Sequence, residues 1–526
     1  MSSEAMQQQD LLKWWKQKPV WVMLFLGFSA GIPLYLIFAS LSLWLREAGV
    51  NRSTVTYFSW AVLGYSFKFV WAPLVDRLPL PLLTRLLGRR RGWLLLSQSA
   101  IVAAIILMAN IDPAAGLTLM AFAAVLLGFS SATQDIVIDA YRIEAAVPRM
   151  QAMLSSTYVA GYRVGMIVAG AGALYLAQWF GSTRESYSYQ AWHNAYLCMA
   201  ATMVIGIVTT LLIKEPDSDS SVGYAYPARD YVKFFLVFMA SIIALIIVYR
   251  ALPDAPVWFH DNAQHVFAFL YGVVHLGLAV VAAYLVAVVC LKYGLVNAAM
   301  VHQGYQAPIL DFFERYGKLA VWVLLLVGFY RVSDIVMGVI TNVFYQDMGY
   351  SKREIAGVTK VFGVIMTISG AFLGGLLALR IGVMRALMLG AVLVASTNLL
   401  FMWLVQVGDA HTTLSFTVPY LCADTVCSYP QELVLVIIVD NLSQGFAIAA
   451  FIAWLSSLTN VSFTATQYAI FSSLMTLLPK FLGGYSGTLV NLMGYSNFFL
   501  FASLLGVPVI VLIYFLRERL SVTGTD

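Results

Sequence analysis

Residues 116–142 read GLTLMAFAAVLLGFSSATQDIVIDAYR, a long apolar run that ends in polar and charged residues. About 20 apolar residues suffice for a helix to cross the roughly 30 Å hydrocarbon core of a bilayer. Asp135 and Asp139 lie within the far end of this run. A charge in hydrocarbon costs at least about 2.5–3.5 kcal/mol, so ionisable residues inside spans usually face a cavity. The stretch therefore predicts a membrane helix that lines a polar pathway.

Apolar runs of this kind recur through almost the whole chain. Of its 526 residues, 61% are hydrophobic and 11% are charged, and the mean hydropathy is +0.81. Soluble domains carry about 25% charged residues, so the composition excludes an ordinary soluble globular protein. The runs are continuous rather than alternating, which excludes a transmembrane β-barrel. The fold class that remains is all-α and integral to the membrane.

We predict fourteen membrane-spanning helices. The first follows three lysines, as in a signal peptide, but it is too long for the apolar part of one, so we expect a retained helix. The spans lie at 20–44, 54–74, 93–110, 116–140, 153–180, 191–213, 233–250, 266–291, 319–345, 355–379, 383–406, 433–458, 463–490 and 497–516.

The positive residues favour one orientation. If the N-terminus is cytoplasmic, twenty of the 31 lysines and arginines lie on the cytoplasmic side, six lie opposite and five lie within spans. Because cytoplasmic loops carry an excess of lysine and arginine, we expect both termini in the cytoplasm.

A weak repeat relates the two ends of the chain. WLREAGVNR at 44–52 aligns with FYQDMGYSK at 344–352, and each stretch closes one span and opens the next. Parallel repeats of this kind are common in secondary transporters. We predict a six-helix bundle at 1–215, a second at 319–526, and between them a linker, 216–318, with the two extra helices 233–250 and 266–291.

Two carboxylates in the opening stretch have the properties of a proton carrier. Asp135 and Asp139 are one helical turn apart and share a face. In a low-dielectric site they disfavour double ionisation, which suits proton binding and release. The alternative is that they are helix-end carboxylates, paired with Arg142 and wetted by the cytoplasm.

Several cations and one further carboxylate also lie in spans. Arg163 lies about eleven residues into its span, roughly at mid-bilayer, and there it requires an anion, either Asp135 or a substrate carboxylate. Arg331 and Asp334 form an i,i+3 pair near the middle of the span 319–345. Lys68 lies close enough to the cytoplasmic half of its span to snorkel. Lys360, Asn441, Gln444 and Gln467 add further polar groups within spans.

The loop after the second span resembles the major facilitator motif G-x-x-x-D-R-x-G-R-R with a longer spacer. Its acid and bases are Asp76, Arg77, Arg89 and Arg90, with Gly88 before the arginine run. Such a loop can hold the cytoplasmic ends of helices together as a gate. An ordinary positively charged cytoplasmic loop is the alternative.

Cysteine and histidine usage indicates no metal or cofactor site. Cys198 and Cys290 lie in spans, and we interpret them as packing residues. Cys422 and Cys427 lie in the outer loop 407–432, where a disulfide between them is one of two alternatives. The six histidines are scattered, and no G-x-x-x-x-G-K-[ST] loop for ATP is present. We expect no cofactor, no metal and no nucleic-acid partner.

Five stretches in this order resemble the AmpG muropeptide permeases, and the match covers nearly the whole chain outside 227–318. The stretches are LGFSAGIP at 26–33, FKFVWAPLVDR at 67–77, SATQDIVIDA at 131–140, GYRVG at 161–165 and TATQYA at 464–469.

The resemblance implies a major facilitator fold in the inner membrane of a Gram-negative bacterium. It implies import of N-acetylglucosaminyl-1,6-anhydro-N-acetylmuramyl peptides from the periplasm by proton symport, for peptidoglycan recycling. Because the imported products feed the signal for β-lactamase induction, it also implies a link to antibiotic resistance. The expected partners are this substrate, protons and the lipid bilayer, with the chain as a monomer.

Roles for single residues follow as hypotheses. Cations would hold substrate carboxylates, Asp334 would meet the amine, and the amides would meet sugar hydroxyls. The substrate-binding candidates are Gln134, Arg163, Arg331, Asp334, Lys360, Asn441 and Gln467, the proton-coupling candidates are Asp135 and Asp139, and the gate candidates are Asp76, Arg77, Gly88, Arg89 and Arg90. The alternatives are an exporter of the same fold, a transporter like those of acetyl-CoA, and an integral membrane enzyme.

Overall fold

The computed structural model describes residues 17–50, 58, 64–147, 150–182, 186–216, 226–253, 265–350, 358–359, 362–407, 413–416, 427–483 and 486–520. Helices dominate these residues, and twelve helical segments among them are long and apolar enough to cross a membrane. They correspond to twelve of the fourteen predicted spans. Of the other two, 54–74 lies partly outside the described residues, and 463–490 begins with a helix, Thr464–Gly483. The all-α membrane fold is confirmed.

The first half of the chain forms helices in which several spans are interrupted. The α-helices are α1 Lys18–Tyr35, α2 Ser42–Glu47, α3 Gly64–Phe67, α4 Ala72–Arg77, α5 Leu83–Leu87, α6 Arg89–Ala109, α7 Leu117–Glu144, α8 Gln151–Ile167, α9 Ala173–Trp179, α10 Tyr189–Thr202 and α11 Val204–Leu212. The π-helical turns Leu36–Leu41 and Val168–Gly172 join α1 to α2 and α8 to α9, and a 3₁₀ turn spans Lys68–Val70.

The middle of the chain contains α12 Ala228–Ala251, α13 His265–Lys292, α14 Ala298–Val301 and α15 Ala307–Tyr316, with a π-helical turn at His302–Gln306 and a 3₁₀ turn at Gly317–Leu319. In the most apolar stretch of α12 only 11% of the residues are buried, and in that of α13 only 6% are buried. Side chains exposed to this degree suit contact with lipid.

The last part of the chain repeats the helical pattern. Its helices are α16 Ala320–Phe329, α17 Val332–Asp347, α18 Gly363–Ile381, α19 Val383–Val407, α20 Gln431–Leu458, α21 Thr464–Gly483, α22 Ser486–Leu504 and α23 Gly506–Leu520. A 3₁₀ turn spans Val461–Phe463, and α22 is broken at Gly494, whose φ is +74°. In the predicted outer loop, β1 Thr413–Phe416 pairs antiparallel with β2 Cys427–Pro430, and Thr413 lies opposite Pro430.

The repeated stretches adopt the same backbone structure. Gly49 and Gly349 both have positive φ, +84° and +81°. After α2, the amide of Val50 donates to the carbonyl of Leu45 at 2.9 Å; after α17, that of Tyr350 donates to Tyr345 at 3.1 Å. This six-to-one bond past a left-handed glycine is the Schellman motif. The weak sequence repeat therefore corresponds to the same C-terminal helix cap at both positions.

The chain divides into two compact units. One contains both repeat halves, and the other contains Asp219–Arg315 together with Asp76–Pro79. The limits of the second unit lie close to the predicted insert 216–318. The division of the first unit into bundles at 1–215 and 319–526 stays a prediction.

Each half has its own apolar core. In the first half, Trp44 and Trp192 are buried and stack with ring centroids 5.6 Å apart. In the second, Phe344 lies 4.9 Å from Phe499, centroid to centroid, and both are fully buried. These cores fix the helices on which the polar residues are placed.

Candidate functional site

Lys68 joins the two candidate proton carriers. Its Nζ lies 2.9 Å from Oδ2 of Asp135 and 3.4 Å from Oδ2 of Asp139. The side chain of Lys68 is only 5% exposed. The ammonium therefore does not snorkel to the membrane surface. It contacts both carboxylates, which lie on one face of α7.

Two further groups complete this network. The hydroxyl of Tyr158 on α8 donates to Oδ1 of Asp135 at 2.7 Å. Arg142 donates from Nη2 to Oδ1 of Asp139 at 3.2 Å. The alternative interpretation was that Asp139 pairs with Arg142 at a wetted helix end, but the Asp139 side chain is only 7% exposed. Two cations thus balance two carboxylates, and removal of one member of such a buried set typically costs about 3–5 kcal/mol.

Arg163 has different surroundings. Among the described residues, its hydrogen-bonding contact is from Nη1 to Sδ of Met166 at 3.9 Å, and no carboxylate there forms an ion pair with it. Asp135, one of the two anions considered for it, is held by Lys68. The charged groups that act on Arg163 electrostatically include Arg331 and Asp334 from the other half. Arg163 is left as a cation that a ligand anion can meet.

The backbone around Arg163 is fixed by close helix packing. A Cβ placed on Gly161 would lie 2.0 Å from the carbonyl oxygen of Leu24, and one on Gly165 would lie 2.2 Å from that of Phe28. Small residues allow two membrane helices to approach this closely. Glycines on either side of Arg163 therefore seat α8 directly on α1.

Arg331 and Asp334 form the predicted ion pair, with Nη2 and Oδ2 2.5 Å apart. Arg331 lies between α16 and α17, in the middle of the predicted span 319–345. The pair lines a small cavity together with Tyr330, Ser333 and Gln444.

Arg142 also connects the two halves. Its Nη1 lies 2.8 Å from the hydroxyl of Ser155 and 2.8 Å from that of Ser456, at the C-terminal end of α20. Its guanidinium lies 5.2 Å from the ring centroid of Tyr468. Arg142 is fully buried, so these contacts close the two halves against each other at this end.

The arginine run belongs to the same closed end. Arg90 forms a forked pair with Glu144, with Nε to Oε2 at 3.0 Å and Nη2 to Oε1 at 2.5 Å. Glu144 also accepts from Thr464 of the second half at 2.8 Å. Glu215 accepts from the backbone amides of Arg90 and Arg91 at 2.7 and 3.1 Å, which satisfies the free amides at the start of α6.

Gly88 is required by this arrangement for two reasons. Its φ is +93°, a conformation that strains other residues, and a Cβ there would lie 2.4 Å from the carboxyl carbon of Glu215. Asp76 is buried, whereas Arg77 and Arg89 are partly exposed.

The predicted amide ligands have mostly structural partners. Gln134 is fully buried and accepts from Ser29 at 3.4 Å. Asn441 accepts from Thr367 at 3.0 Å. Gln467 accepts from the backbone amide of Asn460 at 2.7 Å, at the start of α21. Their roles in binding stay predictions. Lys360 and Cys422 lie outside the described residues.

One buried carboxylate was missed. Asp440 lies on α20 beside Asn441, and its side chain is buried. The signal was available, because Asp440 is an ionisable residue within the apolar run 433–458.

Comparison with known proteins places these features in a family. The model of the Major Facilitator Superfamily matches residues 23–423. A protein named putative transporter AmpG 4 from Rickettsia felis is 29% identical over 94% of this chain and 96% of its own. The anhydromuropeptide permease of Escherichia coli K12 is also 29% identical, over 96% of this chain and 81% of its own. The resemblance inferred from the five stretches is confirmed.

Solved structures agree on the fold. A proton:xylose symporter of the major facilitator superfamily superimposes with a TM-score of 0.58 and 11% identity, with 94% of each chain covered. The fucose:proton symporter of E. coli does so with a TM-score of 0.56 and 10% identity, over 94% of this chain and 98% of its own.

Proposed function

The chain belongs to the Major Facilitator Superfamily, and on that premise we propose that it imports anhydromuropeptides as a proton-coupled secondary transporter of the bacterial inner membrane. The substrate class is taken from the relatives that carry the permease name and match nearly the whole chain. The role is transport rather than catalysis.

The observation that carries the proposal is Arg163. It is a cation within a span, has no ion-pair partner among the described residues, and is subject to the field of Arg331 and Asp334. A guanidinium held in this way binds a carboxylate through two parallel hydrogen bonds. A muropeptide offers carboxylates to Arg163 and Arg331, and its diaminopimelate amine to Asp334.

Proton coupling is assigned to Asp135 and Asp139. Both contact Lys68, so protonation of one carboxylate leaves the ammonium paired with the other. Tyr158 connects Asp135 to α8, the helix that carries Arg163. A change at Asp135 can therefore reach the substrate cation through one helix.

The closed end is assigned to the cytoplasmic side. The positive-inside pattern supports a cytoplasmic location for the C-terminus of α7 and the start of α8. Arg142, bonded to Ser456, and Glu144, bonded to Thr464, then hold the cytoplasmic gate shut. The structure corresponds, on this assignment, to the state that accepts substrate from the periplasm.

In the cell, this activity would return cell-wall fragments to the cytoplasm for peptidoglycan recycling, and the same fragments would supply the signal for β-lactamase induction. We assign the transporting form to a monomer.

The test is uptake of labelled anhydromuropeptide into proteoliposomes that contain the purified protein. We expect uptake that unlabelled anhydromuropeptide competes away and that xylose and acetyl-CoA leave unchanged. Competition by acetyl-CoA, or transport only from the cytoplasmic face outwards, would replace the proposal by one of its two transporter alternatives.

A further inference from the structure

Asp440 is held inside the second half by two neutral groups. Gln444, one turn further along α20, donates from Nε2 to Oδ2 of Asp440 at 2.8 Å. The hydroxyl of Thr397 on α19 lies 3.2 Å from Oδ1. The residue is only 4% exposed. A carboxylate this deeply buried normally requires a cation or a proton.

The hydroxyl of Thr397 has a competing acceptor. It lies 3.0 Å from the carbonyl oxygen of Val394, one turn back on the same helix. A hydroxyl has a single hydrogen, so it can donate to the carbonyl or to Asp440, not fully to both. When it donates to Val394, the 3.2 Å contact to Asp440 is a hydrogen bond only if the carboxyl group itself carries a proton. In the neutral form every one of these contacts is satisfied.

No cation balances Asp440 among the described residues, where its carboxyl group forms no ion pair. The titratable groups that interact with it electrostatically are Asp334 and Tyr345 on α17. The cation Arg331 is paired with Asp334. These surroundings favour the neutral acid.

Gln444 connects this carboxyl group to the candidate substrate cavity. It lines the cavity beside Arg331 and Asp334, and the same side chain holds Oδ2 of Asp440. A ligand that forms a hydrogen bond with the side-chain amide of Gln444 removes a hydrogen-bond donor from Asp440. Loss of a donor changes the proton affinity of a carboxyl group.

We propose that Asp440 is a proton-binding site of the second half, occupied in this state, and that Gln444 couples its occupancy to the substrate cavity. The site rests on the proposed function for its role in transport, but proton binding at Asp440 does not. Protonation forms one O–H bond on the carboxylate, and the release of that proton to water after the change of state restores the anion.

Infrared difference spectroscopy of the purified full chain tests the proton directly. At neutral pH we expect a carboxylic-acid C=O band that shifts in deuterated water and is lost in Asp440→Asn. The matched control is Asp311→Asn, since Asp311 is partly exposed and pairs with Arg315 at 2.9 Å. Asp311→Asn should keep the band. A band unchanged in a folded Asp440→Asn protein, or absent from the wild type, overturns the site.

Two further measurements separate the site from the proposed function. In Gln444→Leu the band should persist but titrate at a different pH, and an identical titration would overturn the coupling. In liposomes, Asp440→Asn should lower the number of protons moved per substrate while substrate counterflow continues. An unchanged ratio would overturn the role in transport. If the band behaves as expected but the wild type transports no anhydromuropeptide, the proposed substrate fails and the proton site stands.

Discussion

At the scale of single residues, Arg163 and Lys68 are both cations in membrane-spanning segments, but their environments differ. Lys68 is held between Asp135 and Asp139. Arg163 forms no ion pair within the described part of the chain, and its guanidinium is subject to the field of the Arg331–Asp334 pair. The first arrangement suits proton exchange, and the second suits the binding of an anionic ligand.

Replacement of Arg163 by lysine should therefore weaken substrate binding without unfolding the protein. A guanidinium binds a carboxylate in a bidentate way that an ammonium cannot reproduce. Loss of a charge-assisted contact of about 1.5–3 kcal/mol corresponds to a roughly 10- to 150-fold rise in Kd. Calorimetry with anhydromuropeptide measures this change in Kd. The control is Arg229→Lys, because the Arg229 side chain is 80% exposed. Unchanged affinity in a well-folded Arg163→Lys protein would make Arg163 a structural residue.

The residues that sequence analysis could pair are those close along the chain. Arg331 and Asp334 are three residues apart on one helix, so their pairing follows from helical geometry. Lys68 and Asp135 lie on different helices, and only the packing of those helices shows that they meet. Asp440 shows the other limit, because its significance depends on Thr397 of α19.

At the scale of secondary-structure elements, the repeat is expressed in the caps of α2 and α17. Both helices end in a Schellman motif with glycine in the left-handed conformation. The sequence alignment located both glycines, because a residue with positive φ leaves a strong local signal. The interruptions of the spans at the π-helical turns had no such signal and were missed.

We expect Gly49→Ala and Gly349→Ala to destabilise the protein to a similar extent. A non-glycine residue in the left-handed region costs about 1–2 kcal/mol, both glycines lie in that region, and no atom lies within 4 Å of a Cβ at Gly49. Thermal melting measures the effect, with Gly277→Ala as the control because that position is helical and has open space. Strong destabilisation by one variant with none by the other would contradict the structural equivalence of the repeats.

The contact of α8 with α18 holds the two halves together. A Cβ on Gly375 would lie 2.2 Å from Oγ of Ser156, which itself donates to the carbonyl of Ala371 at 2.7 Å. Gly375→Ala should therefore disfavour the conformation in which this end is closed. Overpacking costs about 1–3 kcal/mol, or a roughly 5- to 150-fold shift between states. Distances between spin labels placed on the two halves at the closed end measure the shift.

A double substitution provides the control for this shift. In Gly375→Ala with Ser156→Ala the added methyl group no longer meets the hydroxyl, so part of the closed population should return. A Gly375→Ala protein that stays as closed as the wild type would show that this helix contact does not set the conformation.

At the scale of the whole molecule, composition and periodicity were sufficient to predict the membrane fold, and the family model confirms it. Continuous apolar runs have few folding solutions in a bilayer, so the architecture is strongly constrained. The site is less constrained, because a bundle can bring together any polar residues that face its interior. Direction and coupling belong to this scale, since they depend on both halves together.

Accumulation of labelled anhydromuropeptide in proteoliposomes under an imposed pH gradient, acid outside, tests the central claim most directly. The wild type should concentrate substrate above the external level, and dissipation of the gradient should abolish this. Asp135→Asn should lose accumulation but retain exchange down the substrate gradient, because the asparagine cannot bind a proton but can still accept a hydrogen bond from Tyr158. Accumulation by Asp135→Asn at the wild-type level, or accumulation by the wild type that is independent of the pH gradient, would contradict the account.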